Sequence, residues 1–344
     1  MSLLQLGWSE HFARPFEAFA AEGCLPARVS VVHRHVYILL SGDDEIDAEL
    51  SGRFLHRVLC AEELPVTGDW VVVRPGRRLI DAILPRRTQL VRKRAGRQVE
   101  AQVLAANIDV LFVVTGLDGD FNPRRLERYL VLAAESGARP VIVLNKTDLC
   151  ADVQGCVSDA RALGAPVIAL SAACGDNVEA LSGYTTPGAT AAFIGSSGAG
   201  KSSLVNRLLG QPAQATGPVR EHDARGRHTT SRRELIPLPQ GWLVVDTPGI
   251  REVALWAGAE GLAHAFSEVS ELAARCRFRD CTHTAEPGCA VRDSLDAERL
   301  AAFGKLRREL DHLRRRQDQR AAAEEKARVK RIHREMRRWG KDPC

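Results

Sequence analysis

The stretch that most restricts how this chain can fold is Thr190 to Gly210, "TAAFIGSSGAGKSSLVNRLLG". An apolar run of strand character leads into Gly195, Ser196, Ser197, Gly198, Ala199, Gly200, Lys201 and Ser202. These eight residues fit G-x-x-x-x-G-K-[ST] without a mismatch, and a helical pattern carrying Ser203 follows. The glycines let backbone N–H groups converge on phosphate oxygens, and the helix N-terminus adds partial positive charge. Lys201 is expected to reach the terminal phosphates and Ser202 to ligate magnesium. A strand, loop and helix in this order belong to a sheet whose strands run largely parallel, with ligands held at their carboxyl ends.

The surrounding residues alternate in the same way from about residue 101. "IDVLFVVTG", "PVIVLNK", "PVIALSA" and "GWLVVDTPGI" read as strands, while Pro123 to Ser136 and residues 153 to 163 read as helices. Asp246, at the end of "WLVV", is placed to hold magnesium directly or through a water. The Gly249 N–H, in the turn that follows, is placed to meet the terminal phosphate. Between the phosphate loop and this turn lies the polar segment "EHDARGRHTTSRREL", residues 221 to 235. It has the composition of a mobile switch, and Thr230 is favoured over Thr229 to complete the magnesium shell.

Asn145, Lys146, Thr147 and Asp148 end one of the strands. Asp148 can accept hydrogen bonds from the N1–H and 2-amino group of guanine. Adenine lacks that donor pair and would leave a buried carboxylate unpaired. Asn145 is expected at the other edge of the base and the Lys146 stem over its ring. Ser171 and Ala172, after the next strand, are expected to supply a backbone N–H to the guanine oxygen. This base reader precedes the phosphate loop, the reverse of the ordinary order, so a preserved sheet requires circular permutation. The old termini join through "LSGYTTPGAT", and new ends open between "DTPG" and "DVLFVVTG". A loop ordered by the γ-phosphate then leads directly into the C-terminal part and could reposition it on hydrolysis.

At 344 residues the chain suits two or three domains. Residues 27 to 84 show short strands at close spacing, as in an OB-like β barrel. Arg86, Arg87, Arg92, Lys93, Arg94 and Arg97 then read as a basic connection. Beyond residue 260, Cys276, Cys281, His283 and Cys289 form C-x4-C-x-H-x5-C, a set suited to a closed, structural, tetrahedral Zn²⁺ site. Cys24, Cys60, Cys150, Cys156, Cys174 and Cys344 receive no role. The expected division is an OB-like barrel with basic linker over 1–95, a permuted P-loop GTPase domain over 96–255, and a helical zinc-binding domain with basic tail over 256–344. The fold class is therefore multidomain α/β.

A formal net charge of +5, concentrated in the arginine-rich tail from Lys305 to Lys341, points to an anionic partner such as RNA. No apolar run approaches the ~18 residues of a membrane span, and the N-terminus lacks the pattern of a signal peptide. A cytoplasmic, membrane-free monomer is expected.

Together the barrel, "NKTD" ahead of "GSSGAGKSS", "GRHTT", "DTPG" and the cysteine-rich end resemble the RsgA (YjeQ/YloQ) family of circularly permuted, ribosome-associated GTPases. The resemblance covers nearly the whole chain. It implies a factor that binds the small ribosomal subunit and its rRNA late in maturation, hydrolyses GTP with stimulation by the subunit, and is released by hydrolysis. The position of the water-orienting glutamine of Ras-like enzymes holds Ile250, which cannot act. His228, beside the switch threonines, is the alternative group, and the family pattern points to the same residue. Two other readings stay open: a P-loop ATPase or kinase, and a zinc and OB RNA-binding adaptor using GTP only as a conformational ligand.

Overall fold

Five short strands, rich in β-branched residues and broken by turns, lie in the first quarter of the chain: β1 (Leu25–Val32), β2 (Tyr37–Ser41), β3 (Asp44–Leu50), β4 (Trp70–Arg74) and β5 (Leu79–Ile83). They pair in the order β1-β2-β3-β5-β4, and β4 returns to β1. Closure leaves no open edge, which is how a small all-β unit protects its backbone hydrogen bonds. Val29, Leu39, Val71, Val73 and Ile80 fill the interior. The expected OB-like barrel is present.

The computed structural model describes residues 1–34, 36–74, 76, 78–93, 101–210, 233–246 and 259–315. Two compact units emerge, residues 1–92 with 101–267, and residues 93–100 with 268–344. Four elements were not legible beforehand. Helix α1 (Glu10–Ala20) buries only Phe12 and Phe16 and carries Pro15 in its interior, a residue that argues against a helix in the sequence. It is held by aromatic packing, with Phe12 5.8 Å and Trp8 4.7 Å from the Trp70 ring centroid. Helix α2 (Gly52–Arg57) is a turn and a half, N-capped by Ser51. Strands β6 (Gln89–Lys93) and β7 (Ala101–Ala106) form a two-stranded sheet.

The basic connection needs correcting at its start. Arg86 clasps the fully buried Asp69 with two hydrogen bonds of 2.8 Å, and Arg87 pairs with Asp109 at 2.9 Å. Burial raises the Asp69 carboxyl above its ordinary value, and Arg86 opposes that rise. These two arginines are therefore structural, and β6 already begins at Gln89. Arg94 and Arg97 lie outside the described residues.

The parallel half comprises β8 (Val110–Gly116), α3 (Pro123–Ser136), β9 (Arg139–Asn145), α4 (Val153–Arg161), β10 (Val167–Ala169), β11 (Thr190–Gly195), α5 (Lys201–Leu209), β12 (Glu234–Pro237) and β13 (Leu243–Asp246). The strand order is β10-β9-β8-β11-β13-β12, parallel except where β12 meets β13. Strand β8 is buried at every residue because both its faces are covered, which is why it reads as an unbroken apolar run. On one face Phe112 stacks on Phe193 with centroids 5.2 Å apart. The phosphate-loop strand β11 is central, and the three strands on one side of it all precede it in the chain. This is the permuted order in three dimensions.

A pairing of β12 with β1 at Glu234 and Val31 makes the sheet continuous into the barrel. Beside this seam lies Arg28, fully buried on β1. It donates to the carbonyls of Gly68 (3.3 Å), Asn107 (3.2 Å) and Leu6, and to the Thr190 hydroxyl (2.7 Å) that begins β11. Burial lowers the Arg28 guanidinium to about 10, still protonated at neutral pH. Helix α6 (Ala259–Ala265) closes the first unit against α3, where the Gly261 N–H meets Glu135 at 2.6 Å.

In the second unit are most of α7 (Ser267–Ala273), α8 (Ala290–Ser294) and a helix over residues 297–315. Arg299 pairs with Glu268 at 2.8 Å. Among the described residues, no helix is long and apolar enough to cross a membrane.

Candidate functional site

The carboxyl ends of β8, β9 and β11 lie side by side because these strands are neighbours in register. Gly195 ends β11 with φ at 147°, and a Cβ there would stand 2.0 Å from the Val114 carbonyl oxygen. Only glycine lets the phosphate loop leave the sheet so close to β8. At the other end of the loop Gly200 caps α5 with φ at 93°, and a Cβ would meet Asn145 Nδ2 at 2.1 Å. Ser196, Ser197, Gly198 and Ala199 form the turn between them, and Lys201, Ser202 and Ser203 open α5. The Lys201 ammonium donates to the carbonyls of Gly195 at 2.9 Å and Ser196 at 2.6 Å. The Ser202 side is exposed on the first helical turn.

Asn145, the last residue of β9, is buried and joins three segments. Its Nδ2 donates to the Ala199 carbonyl at 2.8 Å, and its Oδ1 accepts from the Ala172 N–H at 3.0 Å. Sequence reasoning aimed both Asn145 and the Ala172 N–H at the base. In the structure each is the other's partner, and Asn145 acts as a brace between base reader and phosphate loop. Asp148 accepts from the Ser171 hydroxyl at 2.5 Å, and Ser171 in turn accepts from the Cys174 N–H at 3.2 Å. Thr147 is tied to the Leu170 carbonyl through its N–H at 3.3 Å. Lys146 has a left-handed backbone, φ 65°, and its ammonium pairs with Asp118.

Asp246 ends β13, which runs parallel to β11 with Val245 opposite Ala192. One step further in that register brings Asp246 level with Phe193, two residues before the phosphate loop begins. His228, Thr230 and Gly249 lie outside the described residues.

Two acidic residues at this site escaped the reading of the sequence. Asp118 meets Lys146, and Asp120 accepts from the Ser196 hydroxyl. Their signal was a pair of carboxylates just past the apolar strand "DVLFVVTG". That this strand lies beside the phosphate-loop strand is not written in the sequence.

In the second unit, one ligand atom from each of Cys276, Cys281, His283 and Cys289 falls within 4.8 Å of the others. His283 Nδ1 is 3.7 Å from the Cys276 sulfur and 3.5 Å from that of Cys289. A tetrahedral Zn²⁺ with its usual bond lengths would separate sulfur and nitrogen by about 3.6 Å, so the donor set fits such an ion. Burial, aided by Arg307, holds the His283 imidazole below its ordinary value and so favours the neutral, metal-binding form.

Comparison with known proteins agrees with this geometry. The family model described as RsgA GTPase matches residues 83–256. A model described as ABC transporter matches residues 178–337, a span that includes the phosphate loop. The small ribosomal subunit biogenesis GTPase RsgA of Opitutus terrae is 49% identical, covering 98% of this chain and 97% of its own length. The protein of the same name from Syntrophotalea carbinolica is 43% identical, covering 99% of both. Among solved structures, YjeQ from Thermotoga maritima superposes with a TM-score of 0.62 at 25% identity, over 83% of this chain and 98% of that one. YloQ, described as a circularly permuted GTPase, gives 0.61 at 23% identity over 84% and 96%.

Proposed function

The chain belongs to the RsgA GTPase family, and we propose from that premise that it hydrolyses GTP in the cleft at the ends of β8, β9 and β11 while assisting the late maturation of the small ribosomal subunit. The observation that carries this reading is the Asn145 brace, which draws the base reader, the Ser171 turn and the phosphate loop into one cleft. A phosphate loop alone would suit an ATPase equally well. With Asp148 on the same cleft wall, the nucleotide is a guanine nucleotide.

In this reading Asp148 selects the base, and Ser171 holds its carboxylate in place. Ser171 and Ala172 supply a backbone N–H to the guanine oxygen. Lys201 leaves the carbonyls of Gly195 and Ser196 for the terminal phosphates, where its charge answers theirs. Ser202 on α5 and Asp246 on β13 would, with Thr230, hold Mg²⁺, which when bound would offset phosphate charge. Gly249 meets the terminal phosphate through its N–H. With Ile250 unable to orient a water, His228 takes that task. Intrinsic turnover is then slow, rising when a partner orders the switch.

Cys276, Cys281, His283 and Cys289 would hold one structural Zn²⁺, four protein ligands being the closed set of a structural site. The basic tail and the OB-like barrel contact rRNA, the tail by neutralising phosphates. The protein acts as a cytoplasmic, membrane-free monomer. Functionally the chain divides into barrel with linker, GTPase domain and zinc domain as 1–95, 96–255 and 256–344.

The deciding experiment is multiple-turnover phosphate release from GTP with and without isolated small ribosomal subunits, alongside His228→Ala. Stimulation in the native chain, lost in the variant while GTP affinity stays nearly intact, supports the reading. Equal rates with and without subunits reject it.

A further inference from the structure

Residues 117–122, between β8 and α3, touch both halves of the nucleotide cleft through two carboxylates. Asp118 pairs with Lys146 of the base reader. Asp120 divides its two oxygens between different partners. Oδ1 accepts from Arg125 Nη2 at 2.6 Å, and Oδ2 accepts from the hydroxyl of Ser196, the second residue of the phosphate loop. Asp120 is itself held firmly. Its carbonyl accepts from Arg125 Nη2 and, at 3.3 Å, from the Thr115 hydroxyl. Arg125 is fixed in turn at the start of α3, where Asn122 accepts from its N–H at 3.2 Å.

We propose that Asp120 is a positioning residue for nucleotide binding, acting through Ser196 to keep the phosphate loop in its binding shape. The proposal rests on the guanine-nucleotide reading of the cleft and adds a residue to it. Three glycines shape the loop, at 195, 198 and 200, all with positive φ. Such a loop has much conformational freedom to lose when phosphate binds. Besides the Ala199 N–H, which reaches its carbonyl at 3.4 Å within the loop, two side-chain contacts restrain Ser196. One, from Lys201 to its carbonyl, must break when the lysine turns to a phosphate. The other, from its hydroxyl to Asp120, uses no atom that the nucleotide needs, so it persists through binding.

Charge supports this assignment over a direct role. A bare carboxylate beside a phosphate site would repel the ligand, but Arg125 answers the Asp120 charge at 2.6 Å. Both oxygens are already engaged, so Asp120 is an anchor rather than a base. Asp118 at the other end of the same short loop makes the arrangement a strap between base reader and phosphate loop.

The test is the dissociation rate of a fluorescent GDP analogue, with Mg²⁺, from the full chain and its variants. Asp120→Ala and Ser196→Ala should each speed release about tenfold, the scale for losing one charge-assisted hydrogen bond. The double variant should release no faster than either single one, since both remove the same contact. Asp120→Asn, whose amide oxygen can still accept, should recover most of the loss. A release rate for Asp120→Ala equal to that of the native chain overturns the proposal, as do additive effects in the double variant. Thermal melts check folding; if Asp120→Ala fails to fold, Ser196→Ala and Asp120→Asn decide the matter by the same criteria. Failure of the underlying reading would show separately, as a native chain that holds GDP no better than ADP.

Discussion

Asn145 and His283 both bring distant atoms within bonding reach, but the regions around them achieve this differently. Asn145 stands on a seven-residue strand whose last five residues are buried, beside β8, which is buried throughout. Its position follows from a hydrophobic core on both faces of a sheet, with the brace to Ala199 and Ala172 added on top. Around His283, by contrast, the helices α7 and α8 have seven and five residues and bury little beyond Val269 and Val291. Cys276 and Cys281 there are only partly buried. Where burial is scarce, coordination must supply the missing free energy. The first region is braced by burial, and in the reading proposed above the second would be braced by metal coordination.

The contrast is broken most directly by removing the metal. Stripping zinc with a strong chelator, or Cys289→Ser, should unfold the second unit, since structural zinc supplies on the order of 10 kcal/mol in small finger peptides. GTP binding should survive, because the core beneath it contains no cluster ligand. Limited proteolysis would show cleavage confined to residues beyond about 268. Loss of nucleotide binding together with the metal would mean that the two regions do not stand on separate footings.

A smaller effect probes the ordered side. Asp148→Asn should leave the strand ends intact and reduce GTP affinity about hundredfold, because the amide cannot accept both guanine donors. Calorimetric titration with GTP and ATP measures this, and an unchanged preference for guanine would remove Asp148 from its role. The melting temperature should barely move.

The smallest effect asks how much local capping matters where a core already exists. Asn122 accepts from the Arg125 N–H at the start of α3, and Asn122→Ala should cost about 1 kcal/mol in urea unfolding. A loss several times larger would show that the loop beneath α3, with its contacts to Lys146 and Ser196, depends on that cap for its shape.

Much of the site was legible before any coordinates. The phosphate loop, the base reader and the cysteine spacing are short, contiguous patterns whose chemistry demands particular residues at particular intervals. Strands such as β8 and β11 were legible for a related reason, since full burial requires an unbroken apolar run. What stayed hidden depends on partners far apart in the chain. Arg86 looked like part of a basic linker because nothing nearby announces Asp69 as its buried counter-ion. Arg28 gave no signal, although it ties β1 to Thr190 across 162 residues.

The sequence by itself determined most strands and helices of the parallel half, the guanine-nucleotide chemistry, the permuted order and the spacing of the cysteine and histidine cluster. These are properties of spacing along a chain, and a period or a motif expresses them. Only the tertiary structure shows that Asn145 accepts from the Ala172 N–H. It also decided that Asp120 reaches the phosphate loop and that the barrel joins the parallel sheet through β1 and β12. A side chain that can address either a ligand or a neighbour carries the same letter in both cases. Which one it meets is set by strand order, and strand order is chosen by the burial of the whole sheet.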